Sequence, residues 1–419
     1  MVETGQHRTF ERLRKALLAA LAACALPATA QQVIPQAAAS GVIPPALSDY
    51  ETQRADNGSL WGGSPTVPQR KPIQAGPLNL WPHAFYRYLN VDGLQSTPGN
   101  PVSSVVQTLS PGVLIGYGTH WTLDYTPTWT FYSNPHFRNT LDHTVSLSGG
   151  AVYEDWVLRL SQSYSASSAP LVETGAQTGQ DTHSTGINAS RRLGNAMSLD
   201  LGVGQSFRFT EGFSSSREWS TMNWLNYQFW PRLTAGLGLG GGYVNMNDGA
   251  DMSYEQGQVR IVWRATDKLS LQLHGGVEDR QILRTGSADL LNPLYGVAIQ
   301  YEPFDTTRVS FTVDRTVTTS LFGSEAAENT RLNAHLNQRL FGHFFLDLGA
   351  SYNTVSYATG LAVGSTRQDD SYSFDARISC VVWRRVTVAV SGLYSSNSSS
   401  ATGYGYNSKQ FGIELGYQY

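Results

Sequence analysis

From about Leu80 to the last residue, apolar and polar positions alternate with period two over segments of 12 to 15 residues, and turn-forming breaks separate the segments. In "HWTLDYTPTWTF", Trp121, Leu123, Tyr125, Pro127, Trp129 and Phe131 share one face, and Thr122, Asp124, Thr126, Thr128 and Thr130 share the other. "FFLDLGASYN" sets Phe344, Leu346, Leu348, Ala350 and Tyr352 against Phe345, Asp347, Gly349, Ser351 and Asn353. "RLNAHLNQRL" sets Leu332, Ala334, Leu336 and Leu340 against Arg331, Asn333, His335, Asn337 and Arg339. Successive strand side chains point to opposite faces, so this texture predicts strands with one apolar side and one polar side.

The breaks are of two kinds. Tight turns are expected at "YGTH", "YEDW", "RLGNA", "WPRL", "ATDKL", "EPFDT", "LFGHF" and "WRRVT". Longer polar breaks alternate strictly with them, among them "SASSAPLVETGAQTGQDTHS", "TEGFSSSRE", "NMNDGADMS", "TSLFGSEAAENT", "ATGLAVGSTRQDDS" and "SSNSSSATGYGYN". Eighteen strands are predicted, starting near 80, 104, 120, 139, 155, 182, 196, 217, 232, 252, 268, 291, 306, 328, 343, 371, 386 and 406, with sixteen as the other admissible number. The hairpin repeat of about 37 residues leaves room for two long strands, whereas a propeller blade needs four short ones. The predicted fold is therefore all-β: a transmembrane, antiparallel, up-and-down barrel with short periplasmic turns and long extracellular loops, occupying 79–419. With an even strand number, both ends of the barrel lie on the periplasmic side.

Composition agrees with a single large β architecture. Of 419 residues only 15% are charged, while Gly (41) and Tyr (21) are abundant. The N-terminal 1–30 reads as a signal peptide, with Arg8, Arg12, Arg14 and Lys15 before "ALLAALAACAL" and then "ATA". Processing at "LAAC" with acylation of Cys24 is the minority alternative. Residues 31–78, rich in Pro, Ala and Gln, read as a flexible periplasmic segment. No basic footprint for nucleic acid is present. After cleavage only Cys380 remains, which excludes a disulfide framework and a thiolate metal cluster.

Aromatic residues recur beside the short turns: Tyr117, Trp121, Trp156, Phe229, Trp230, Trp263, Phe304, Phe341, Phe344 and Trp383. They are expected to form the periplasmic girdle. On the polar faces lie Arg159, Asp200, Arg208, Arg260, Glu278, Arg308, Asp314, Arg331, Arg339, Asp347, Asp375, Arg377 and Glu414, the pore-lining candidates. Facing lipid, a mid-depth arginine would cost about 2 to 4 kcal/mol; facing water it costs little. Most of these charges are expected to form a salt-bridge mesh, and a few, Arg260, Arg331 and Arg377 among them, to act on passing ions.

Catalytic equipment is not evident. There is no G-x-S-x-G elbow, no H-E-x-x-H and no phosphate loop, and the histidines are scattered singly. No enzyme activity, cofactor, catalytic residue or metal site is expected.

"THWTLDYTPTWTFYSNPHF", "NWLNYQFWPRLTAGLGLGGGYVNM" and "LHGGVEDRQ", with the texture from about 80 to 419, resemble the putative β-barrel porin-2 type of bacterial outer-membrane protein, in a form like that of verrucomicrobial genomes. The motifs are textural, so no family site residue carries over. The closing "FGIELGYQY", with Phe411, Ile413, Leu415, Tyr417 and Tyr419 alternating with Gly and polar residues, resembles the signal read by the barrel-assembly machinery. The expected protein is a passive channel for small hydrophilic solutes in the bacterial outer membrane. Its expected partners are outer-membrane lipid, the assembly machinery and small polar solutes or ions, with a homo-oligomer left open. The resemblance also leaves open a non-conducting scaffold or a link to exopolysaccharide export.

Overall fold

The computed structural model describes residues 71–419 apart from 119, 284–288, 323–324, 360–364 and 384, so the expected signal peptide and most of the segment after it lie outside the described residues. In chain order the strands are β1 (Ile73–Ala75), β2 (Leu78–Thr97), β3 (Asn100–Tyr117), β4 (Trp121–Tyr132), β5 (Thr140–Tyr153), β6 (Trp156–Ser167), β7 (Pro170–Leu171), β8 (Ala176–Gln177), β9 (Gln180–Leu193), β10 (Met197–Thr210) and β11 (Ser216–Trp230). They continue as β12 (Leu233–Met246), β13 (Met252–Arg264), β14 (Leu269–Ile282), β15 (Leu290–Phe304), β16 (Thr307–Thr319), β17 (Glu325–Leu340), β18 (Phe344–Thr359), β19 (Ser365–Trp383), β20 (Val386–Ser399) and β21 (Tyr406–Gln418). No helix is found among the described residues.

Leaving aside β1, β7 and β8, eighteen strands pair antiparallel, each with its chain neighbours, and β2 pairs with β21 from His83↔Gln418 to Asp92↔Lys409. That last pairing closes the sheet on itself, and closure is what removes exposed strand edges. The predicted strand starts beside the short turns are met within two residues.

At the opposite end the strict alternation of long and short breaks gives way. The β2–β3 connection is the tight turn Pro98-Gly99, with Gly99 in the left-handed region (φ 80°). Much of "TSLFGSEAAENT" and "ATGLAVGSTRQDDS" is strand, since β17 begins at Glu325 and β19 at Ser365. Serine, threonine and acidic residues there continue the ladder beyond the apolar belt, where both faces are wet and polarity no longer marks a loop.

The two faces segregate as the alternation predicts. Large apolar residues stand exposed on the outside, among them Ile187, Val203, Leu237, Leu239, Val277 and Leu291. Eight of the ten expected girdle aromatics are exposed beside the short turns, from Phe344 at 45% to Phe341 at 89%; Trp121 and Trp156 are half-buried. A second aromatic row, not anticipated, borders the belt at the other end: Phe207 meets Trp219 edge-on at 5.5 Å between ring centres, Trp219 stacks on Tyr243, and Tyr372 contacts Phe374 and Tyr394. An apolar belt between two aromatic rims, around a polar interior, is the exterior of an outer-membrane barrel.

Candidate functional site: the barrel lumen

Interior side chains must share a closed space with water and with one another, so their arrangement decides what the lumen can do. Along β12 the inward positions are Gly236, Gly238, Gly240 and Gly242, while Leu237 and Leu239 point outward. A Cβ at Gly236 would stand 2.4 Å from Asn226 Oδ1, and one at Gly238 would stand 2.7 Å from the Trp224 ring. Side chains of the flanking strands therefore lie flat over β12. Across this groove Arg260 of β13 reaches Asp200 of β10, donating from Nη2 at 2.6 Å. Asn226 Oδ1 accepts from Arg260 Nε (3.0 Å) and Nη2 (2.8 Å), and the guanidinium sits 4.3 Å from the Trp224 ring centre. Arg159 lies within electrostatic range of the same Asp200.

A second network crosses the closing seam. Glu414 of β21 accepts from Arg87 of β2 (3.0 Å), from Arg377 of β19 (2.8 Å) and from Ser391 (3.1 Å). Arg377 also pairs with Asp347 (3.5 Å), whose other oxygen accepts from Asn337. Ion pairs of this depth offset their desolvation only when each lone pair finds a donor, as these largely do.

The remaining candidates are more dispersed. Glu278 pairs with Arg280 two residues along β14 at 2.8 Å. Asp314 faces His274 at 3.4 Å, with Arg331 in electrostatic range. The Asp375 carboxylate lies over Gly349. Arg308 with Glu302, and Arg339 with the Gly342 carbonyl, sit at the rim beside the short turns. Arg208 stands apart from these pairs and donates to the Thr319 carbonyl and hydroxyl oxygens. The five residues expected to form the assembly signal lie along and just after β21. Phe411, Ile413, Leu415 and Tyr417 face outward and exposed, and the Tyr419 amide donates to the Pro82 carbonyl.

Residues 168–179, between β6 and β9, fall in one of the expected long polar breaks, whose direction the sequence left open. They turn into the lumen, carrying the β7–β8 hairpin. The segment is tied down near its own side by Gln177, which exchanges two hydrogen bonds with the Arg138 backbone. Nearly half-way round the ring, Glu173 Oε1 accepts from Ser320 Oγ (2.8 Å) and the Leu321 amide (2.6 Å). Arg367 of β19 donates to the Glu173 carbonyl (2.9 Å), with its guanidinium held by Asp369 and stacked 3.7 Å from the Tyr404 ring centre. The segment thus straps the lumen from wall to wall. Outside the membrane, Arg138 also pairs with Glu211 at 2.7 Å, which holds that carboxyl below its usual range.

Sequence reasoning missed Arg87, Arg280, Glu173, Arg367 and Asp369. Arg87 and Arg280 occupy inward strand positions that alternation alone could have marked. Glu173, Arg367 and Asp369 fell in stretches assigned to loops, and nothing in their neighbourhoods signals a partner so far away.

The closed wall, apolar exterior and ion-paired interior define an outer-membrane β barrel. The family described as Putative beta-barrel porin 2 matches residues 248–419. Among solved structures, the fold is similar to OccAB3 of Acinetobacter baumannii (11% identity, 81% of this chain and 99% of that one, TM-score 0.45). It is similar also to the outer membrane protein opdK from Pseudomonas aeruginosa (12% identity, 81% and 99% covered, TM-score 0.45). No curated protein matches the sequence.

Proposed function

We propose that the protein is a channel for passive diffusion of small hydrophilic solutes across the outer membrane, narrowed at its outer end by the strap of residues 168–179. The observation that carries this reading is the polar interior of an eighteen-strand wall, a girth that ordinarily leaves an aqueous path. The interior charges are mostly matched in pairs, which favours selection by width and local field over tight binding of one ion.

The strap favours a second reading, in which the barrel is closed at rest and serves as a scaffold. The test is single-channel recording from purified barrel in planar bilayers, with ion selectivity read from the reversal potential in a salt gradient. Steady conductance supports the channel. A silent barrel that still migrates as a folded, heat-modifiable species supports the scaffold.

A further inference from the structure

Beneath the strap, the walls of β10 and β16–β20 enclose a small chamber into which uncharged polar groups converge. Asn353, Ser371 and Asn397 are successive cross-strand neighbours on β18, β19 and β20, and Asn329 lies one inward step away on β17. The Oδ1 atoms of Asn329, Asn353 and Asn397 are buried, and none has a hydrogen-bond partner among the described residues. Arg208 Nε, on the opposite wall of the chamber, is in the same condition. For Asn397, only 4% exposed, the amide orientation is set: Nδ2 donates to the Tyr404 carbonyl at 2.8 Å, so Oδ1 is the atom left over.

Buried polar atoms without partners are rare enough that a group of four around one chamber calls for an occupant. The chemistry of the set narrows what that occupant is. Asp369 is engaged through both oxygens by Arg367, and Glu173 through Oε1 by Ser320 and Leu321. A cation would therefore meet at most one carboxylate oxygen, Glu173 Oε2, and would face the Arg208 guanidinium. An anion would meet three carbonyl-type oxygens. A hydroxyl suits both sides, donating to an amide oxygen and accepting from Arg208 Nε.

We infer that the chamber binds a small neutral polyol, between glycerol and a single sugar ring in size, as a subsite along the lumen. This names a substrate class for the channel proposed above and rests on that reading only for its role in transport; binding itself does not require conduction. The chamber is small, which restricts the occupant to a small molecule.

The test uses the full barrel refolded in detergent, with glycerol and glucose as probes in saturation-transfer NMR and as blockers in bilayer recordings. Both probes are expected to receive magnetisation from the wild-type barrel. In Asn329→Leu/Asn353→Leu the transfer should fall by about fivefold per hydrogen bond lost, while the heat-modifiable gel shift is retained. If that double variant fails to fold, Asn353→Ala, which only shortens one side chain, takes its place. Equal transfer in wild type and variant means that the chamber holds water only and overturns the inference. Stronger transfer to acetate or tetramethylammonium overturns the assignment to neutral polyols. A barrel that conducts without binding refutes the subsite and leaves the channel standing; one that binds without conducting does the reverse.

Discussion

Two sectors of the same wall treat their interior side chains in opposite ways. In β10–β13 the glycines of β12 let Trp224, Asn226 and Arg260 lie flat against the sheet, and Arg260 pairs with Asp200 Oδ2 and Asn226, leaving Asp200 Oδ1 as the one carboxylate oxygen of the pair without a hydrogen bond. In β17–β20, beneath the strap, three amide oxygens, those of Asn329, Asn353 and Asn397, face one chamber without partners. The first sector contributes stability and leaves little chemistry for a passing solute. The second retains unsatisfied polarity near the strap. The contrast teaches that the number of charges facing a lumen says less about selectivity than how many of them are already committed.

The sharpest way to break the comparison is Arg260→Ser. It leaves Asp200, 1% exposed, without its guanidinium, and loss of one partner of a buried pair costs about 3–5 kcal/mol. Denaturant unfolding in detergent should show this loss, whereas Asn353→Ala in the other sector should cost no more than about 1 kcal/mol, because no protein hydrogen bond to its Oδ1 is removed. If the two variants are equally stable, the sectors do not differ as described. Replacing Arg260, Arg331 and Arg377 together with Ser removes three positive charges and should shift the reversal potential toward cation selectivity, with a loss of stability besides, since two of the three hold buried carboxylates.

Next in size is the contrast between faces within β18. Leu348→Arg places a charge toward lipid and should cost about 2–4 kcal/mol of folding free energy. Ser351→Arg, on the lumen side where Ser351 meets Ser373 at 2.8 Å, should be tolerated. Folded yield in liposomes measures both, and the reverse order would mean a register slip of one residue.

A smaller effect is expected from Glu173→Ala, which removes the strap's hold on Ser320 and Leu321. Loosening the strap should raise the open-channel current by about twofold or make it noisier, because conduction follows the narrowest section. An unchanged current would place the constriction elsewhere.

The smallest effect concerns the exposed pair that anchors the strap's near side. Arg138 depresses the Glu211 carboxyl below 4.5, so the pair's contribution is present above that pH and disappears as pH falls through the depressed value. Hydrogen exchange of Gln177 and its neighbours should quicken only in that acidic window, and less visibly at high salt.

Most of the wall was legible from alternation alone, because a face that meets lipid and a face that meets water impose opposite demands at every second residue. Trp121 through Phe131 and Leu332 through Leu340 show this directly. Partner choice inside the lumen was not legible. Arg260 reaches past two strands to Asp200, and such reach depends on register and on the groove over Gly236 and Gly238. The strap was illegible for a related reason: Glu173 and Arg367 are polar residues in polar surroundings, and only three-dimensional closure brings their anchors within range.

The β2–β21 seam bears on how the molecule comes to exist. Its ladder and its ionic lock, Arg87 to Glu414 to Arg377, join strands from the two extremes of the barrel sequence. Contacts between residues so distant along a chain carry the largest loop-closure entropy and form slowly, whereas the pairings between chain-neighbouring strands that make up the rest of the wall are local. Until the seam zips, β2 and β21 are two open sheet edges, each able to pair with a neighbouring chain. The ionic lock adds a register mark that a stray strand lacks, and so favours closure of the molecule on itself over mispairing during its slow final step.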